Sequence, residues 1–166
     1  MVLAEGRRDR RFVWRYLREA GYEPRQIRPE PVPKDKGGAG DRWVLDRYAG
    51  AVMEYRQRAA KTALIVVIDA DTGETTRRSQ QLRDALGKNF RKEDEFIVHF
   101  IPRRNIETWI LCLNGKEVDE EKDYRDEKCD DLIEPAAERF RHWVAQPPVK
   151  CLPSLADGLQ EAKRLQ

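Results

Sequence analysis

The apolar run "ALIVVI" at 63–68 ends on Asp69 and Asp71, two carboxylates with one alanine between them. In a strand, residues two apart point the same way, so extended backbone through 71 would bring both carboxylates to one point. Their mutual repulsion in a partly buried site raises a pKa unless a cation compensates. Hard divalent ions such as Mg²⁺ take carboxylate oxygens and keep several waters, so two or three such groups suffice. The plainer reading is that Asp71 caps the following helix and Asp69 is a solvated loop residue. A third acid, Glu5, ends the short run "VLA" and is followed by Gly6. A fourth, Glu107, falls in the first turn of a helix after "IPRR", where it either completes a second metal site or complements the helix dipole. Arg7 and Arg8 follow Glu5-Gly6, and Arg103 and Arg104 precede Glu107; guanidinium groups so placed can grip phosphate oxygens bidentately.

The elements that must position these groups follow from periodicity. "VLA" reads as a short strand, and Phe12, Val13, Tyr16, Leu17 and Ala20 then repeat at helical spacing up to Gly21. The segment 25–33 is extended but proline-rich, which suits an edge or an irregular stretch. "KDKGGAGD" (34–41) is a loop, Asp41 a candidate cap, and 42–60 a helix with Val44, Leu45, Tyr48, Val52 and Tyr55 on one face. "ALIVVI" has the continuous apolar character of a strand covered on both faces. A helix over 75–87, a strand over 95–101 and a helix over 105–113 capped by Asn105 complete an alternating series. Beyond it lie an acidic stretch, a helix near 132–145 and a last helix from Ser154, where Ser154 and Asp157 have the spacing of a capping arrangement. The expectation is an α/β fold: a mainly parallel central sheet flanked by helices in Rossmann-like layering, with a helical C-terminal extension. Such sheets carry functional groups at the carboxyl ends of their strands. A single domain is expected, with residues 1–115 as the core and 116–166 as an acidic segment and helices packing on it.

Composition narrows the classes. No run approaches about 18 apolar residues, so no membrane span is expected, and no apolar segment precedes the charges of "MVLAEGRRDRR" as a secretory signal requires. Cys112, Cys129 and Cys151 are odd in number and lack zinc spacing, so reduced thiols in a cytoplasmic protein are expected. Segment 117–131 carries nine acidic and three basic residues, a balance of −6 against a chain total of +2, which leaves +8 on the remainder. That moderately basic body is compatible with a polyanionic partner, and the acidic run itself reads as a solvated face. His99 reads as packed in a strand and His142 as a surface residue. Trp14, Trp43, Trp109 and Trp143 sit at apolar helical positions and read as core, with Trp43 also placed to stack on a base. "KDKGGAG" lacks the terminal Gly-Lys-Ser/Thr of a phosphate-binding loop.

"VLAEGRRD" before a helix and "VVIDAD" after a further strand-helix unit resemble the Toprim superfamily over about residues 2–101. Its members pair a glutamate-glycine at the end of the first strand with a DxD at the end of a later one. "IPRRNIETWI" resembles the segment after the last core strand in small stand-alone Toprim-like proteins related to the OLD-type nucleases. This resemblance implies metal-dependent phosphodiester hydrolysis on nucleic acid, DNA or RNA, in a defence or repair setting. It assigns Mg²⁺ or Mn²⁺ to Asp69 and Asp71, with Glu5 as general acid or base or as a further metal ligand. Asp9, three positions after the glycine, matches an acidic residue that satisfies amide donors of the first helical turn. No tyrosine-bearing domain accompanies the core, so a metal-activated water is expected in place of a covalent relay. Protein partners compatible with this size are an ATPase or a second copy of the chain. Two other readings stand beside it. One is a phosphatase of the haloacid dehalogenase type, with Asp69 as nucleophile, although its usual glycine-threonine turn is reversed in "DADTG" and Glu5-Gly6 would go unused. The other is a non-catalytic Toprim-like module that binds a partner.

Overall fold

A computed structural model describes residues 1–31, 40–58, 62–71 and 73–166. Its elements run β1 (Val2–Ala4), α1 (Arg7–Glu19), α2 (Gly40–Gln57), β2 (Leu64–Val67), α3 (Thr75–Leu86), β3 (Ile97–Phe100), α4 (Ile106–Leu113), α5 (Ile133–Ala145) and α6 (Pro153–Ala162). The three strands are parallel in the order β1-β2-β3, with Leu3 opposite Val66 and Val66 opposite His99. The fold is α/β, a parallel sheet flanked by helices.

Strand alternation divides the interior into two cores. Val2, Ala4, Ile65, Val67, Val98 and Phe100 face α1, α4, α5 and α6. Leu3, Leu64, Val66, Ile68 and Ile97 face α2 and α3, meeting Val44, Tyr48, Val52, Leu82 and Leu86. With helices on both sides, every strand position is apolar or nearly so, which explains the unbroken run "ALIVVI". The C-terminal helices are half of this arrangement. Phe140 of α5 packs edge-on to Phe12, Tyr16 and Phe100, at ring-centroid distances of 5.5, 5.0 and 5.4 Å, and stacks on Trp109 at 6.1 Å.

Both sheet edges are closed. Beside β1, Val2 N–H donates to Arg28 O at 3.0 Å and Glu30 N–H donates to Val2 O at 2.8 Å, so the proline-rich stretch forms a one-residue edge bridge at Pro29. Beside β3, Arg91 Nη1 donates to Ile97 O and His99 N–H donates to Glu161 Oε2, both at 3.0 Å. The Arg91–Glu161 ion pair thus occupies the groups a fourth strand would take. His99 is a packed residue whose Nε2 lies 2.8 Å from the Tyr48 hydroxyl, and His142 is exposed on α5. Trp109 is fully buried, while Trp14, Trp43 and Trp143 are partly buried against the two cores. Cys112, Cys129 and Cys151 are free thiols. Among the described residues no helix is long and apolar enough to cross a membrane.

Several local expectations are corrected. The glycine-rich loop lies outside the described residues except for Gly40 and Asp41, which open α2. Asp41 therefore sits within the first turn, its Oδ1 accepting Arg42 N–H and its Oδ2 pairing with Arg78. Asn105 holds the N-cap position of α4 without a side-chain cap bond; its amide joins Asp123 and the Thr108 hydroxyl. α6 begins at Pro153, so Ser154 lies inside the helix and Asp157 is no cap partner. Glu120 fills that role from the acidic segment, accepting Ser154 N–H at 3.2 Å and the Ser154 hydroxyl, which itself accepts Trp109 Nε1–H. Segment 117–131 is mostly exposed, as a solvated stretch would be, but Glu120 is buried and four other side chains are tied to the body of the protein.

Candidate active site at the carboxyl ends of the strands

β1, β2 and β3 end side by side, which delivers Glu5, Asp69 and the approach to Glu107 to one rim. Glu5 and Asp69 are joined directly. Asp69 N–H donates to Glu5 Oε2 at 3.2 Å, across the gap between the two strand ends. Asp9 enters from the first turn of α1, and its carboxylate lies over Gly6, accepting backbone N–H groups there. A Cβ on Gly6 would stand 2.4 Å from Asp9 Oδ2, so a larger residue there would displace the Asp9 carboxylate. Glu107 comes from the first turn of α4. These four acids line one cleft of about 510 Å³. Asp9, Asp69 and Glu107 are 4%, 6% and 5% exposed.

Two of them are unsatisfied. Asp9 Oδ1 and Asp69 Oδ1 are buried without a hydrogen-bond partner, an arrangement that costs free energy unless a proton or a cation completes it. Titration follows from the same geometry. Burial, reinforced by the charges of Asp9, Asp71 and Asp41, pushes Glu5 up to about 7, against the bond from Asp69 N–H. Asp9 rises to about 6 through burial and the charge of Glu107. Asp69 is held well above the usual carboxylate range by burial, then by Asp9, Glu5, Glu107 and Asp71.

Asp71 takes a different course from the one its spacing suggests. The extended backbone ends at Val67, and Asp71 has φ +55°, a left-handed turn conformation that aspartate tolerates. Its half-exposed carboxylate bonds Arg125 Nη2 at 2.8 Å and Arg78 Nη2 at 3.3 Å. Nor does it cap the next helix, where Glu74 holds the N-cap position. The arginines of the expected phosphate grip are also distributed. Arg8 spans the cleft to Glu107 at 2.8 Å and reaches Asp130 and Arg125 O. Arg103 bridges Glu74 and Glu121, and Arg104 donates to Asp71 O. Arg7 is exposed and has no ion-pair or hydrogen-bond partner among the described residues.

Arg78 and Arg125 are the site residues that sequence reasoning missed. Arg78 is buried and donates from Nε to Asp69 O at 2.8 Å, besides pairing with Asp41 and Asp71, so one guanidinium braces the whole turn after β2. A signal existed: Arg78, Leu82 and Leu86 form a four-residue repeat, which puts a cation on the buried stripe of α3. Arg125 was hidden by the acidic run around it. Asp9 is more than a helix-terminal group: besides its bonds to the amides at the start of α1, it keeps a buried, partnerless oxygen and its charge acts on Asp69.

A divalent cation is tested by the donor chemistry. Among the described residues no group of three or more His, Cys, Asp or Glu side chains is arranged to hold a metal ion. Mg²⁺, however, usually keeps several waters and takes one or two carboxylates. Asp9 and Asp69 each keep one buried oxygen without a partner, two carboxylates of the kind such an ion takes, and Glu5 and Glu107 line the same cleft. No protein-family model, no curated protein and no solved structure matches the chain.

Proposed function

We propose that this chain is a metal-dependent phosphodiesterase acting on nucleic acid. The observation that carries the reading is the pair of buried, partnerless oxygens on Asp9 and Asp69, facing one cleft among four acids. Glu107 is paired with Arg8, but Glu5, Asp9 and Asp69 have no ion-pair partner among the described residues, and holding them ionised destabilises the protein unless a cation joins them. Asp69 and Asp9 would hold Mg²⁺ or Mn²⁺, with Asp71 kept to the outside by its two arginines. Bound there, the ion supplies neutralising charge for a phosphate and lowers the pKa of a water.

The chain's own groups account for the remaining steps. Glu5 Oε2 is anchored by Asp69 N–H, which turns Oε1 into the oxygen that exchanges a proton with water. Water oxygen adds to phosphorus, one P–O ester bond breaks, and the departing oxygen leaves as a hydroxyl with the proton that water gave up. Arg8 holds Glu107 in the cleft wall, and Arg7 offers an unpaired guanidinium to a neighbouring phosphate. Arg78 fixes the turn that carries Asp69. The phosphatase alternative is less well supported. An attacking Asp69 would have to be accessible to the substrate, whereas it is 6% exposed.

The test is cleavage of plasmid, single-stranded DNA and RNA with Mg²⁺ or Mn²⁺, beside Glu5→Gln and Asp69→Asn. Activity that needs the metal and is lost in both variants is the expected result. Hydrolysis of a small phosphomonoester alone, or silence with every substrate, would reject the proposal.

A further inference from the structure

The cleft that holds the four acids is also lined by Arg125 and Asp130 of the segment 119–130. This strap is fastened at separate points. Asn105 Nδ2 donates to Asp123 Oδ1 at 2.7 Å, and Asp123 Oδ1 also accepts Arg125 N–H at 2.9 Å. Glu121 pairs with Arg103 at 2.6 Å, and Arg125 with Asp71 at 2.8 Å. From the opposite wall, Arg8 Nη1 donates to Arg125 O at 2.7 Å, while Arg8 and Arg11 both reach Asp130. Arg8 therefore ties α1 to the strap beside the cleft, and the same guanidinium holds Glu107 beneath it. Asp9 and Asp69, whose orphaned oxygens are buried, line the open cleft so bounded.

A cleft of about 510 Å³ has the dimensions of a small-molecule site. A duplex is a stiff rod, with a persistence length of about 50 nm, whose phosphates are carried on a wide, paired body. Such a body rests on the rim and leaves its phosphates above buried acids. A single strand bends at each nucleotide and splays its bases, so one phosphate can descend while its neighbours pass over Arg7.

We propose that the cleft, bounded by the strap, selects single-stranded nucleic acid or single-stranded ends over duplex. The proposal rests on the hydrolytic reading of the same cleft. Opening a single base-pair step costs about a factor of ten, which sets the smallest discrimination expected.

A labelled oligonucleotide, as DNA and as RNA, is offered single-stranded or annealed to its complement, with Mg²⁺ or Mn²⁺. The intact protein should cut the single strand at least about tenfold faster than the duplex, with DNA or RNA as the better substrate. In the double variant Glu121→Ala/Asp123→Ala, which removes two of the strap's fastenings and leaves the four acids in place, the ratio should narrow through a gain on duplex. Equal rates on the two forms in the unaltered protein overturn the proposal, as does a ratio unchanged in a folded double variant. If neither form is cut, the hydrolytic reading fails by itself, and substrate class is read from fluorescence anisotropy with Ca²⁺ in place of Mg²⁺. Single strand bound at least about tenfold more tightly then supports the selection, and equal affinity or no binding overturns it.

Discussion

Replacing Asp69 by asparagine should make the metal-free protein more stable, which is the reverse of what most buried substitutions do. The side-chain volume is kept, Asp69 N–H and C=O still meet Glu5 and Arg78, and one of four crowded charges is gone. The scale can be set from Glu5, which moves from 4.5 to about 7, with burial as the leading cause and neighbouring acids adding to it. At 1.36 kcal/mol per unit, holding that group ionised costs on the order of 3 kcal/mol. Only part of such a penalty arises from neighbours, so Asp69→Asn should gain about 1–3 kcal/mol near pH 8, or roughly 2–10 °C in Tm for a chain of this size. The sign is fixed by proton uptake. Between about pH 4 and 7 the folded protein binds more protons at these raised acids than the unfolded chain does, so stability falls as pH rises through that window. Below the window the acids are protonated in both states and the variant's advantage disappears. Thermal unfolding in chelator across this range measures both effects, and Mg²⁺ should raise Tm in the unaltered protein while leaving the variant little changed. A variant no more stable than the parent near pH 8, with a parallel pH profile, would refute the account of the cleft as an uncompensated cation site.

Other consequences are simpler to state. Arg78→Ala leaves Asp69 O, Asp41 and Asp71 without their shared donor and should cost about 3 kcal/mol of stability by denaturant unfolding, with Arg78→Lys failing to restore the branched set of bonds. Gly158→Ala places a Cβ 2.3 Å from the Trp109 ring and should destabilise by about 1–3 kcal/mol, read as a lowered Tm together with a shifted tryptophan emission. Glu120→Ala leaves the Ser154 N–H and O–H without their acceptor in the first turn of α6, at a cost of about 1–2 kcal/mol, and should raise amide exchange in α6 before it does so in β2.

What the sequence determined by itself is whatever depends on local spacing. Alternation along "VLA", "ALIVVI" and "EFIVHFI" set which residues face each core, because side-chain direction in a strand has period two, and the helix registers followed from period 3.6. Parallel strands in turn placed Glu5 and Asp69 at one rim, where a hydrogen bond now joins them. Tertiary structure decided the rest. Asp71 leaves the cleft because the backbone after Val67 turns left-handed and two arginines, 7 and 54 residues away in sequence, capture its carboxylate. Asp9 joins the acids because α1 leaves β1 through a glycine that permits close approach. The acidic run, though mostly exposed, is fastened as a strap because its partners, Arg8, Arg11, Asn105, Ser154 and Asp71, lie on four other parts of the chain. Long-range ion pairs have no period, and no window of sequence contains both members.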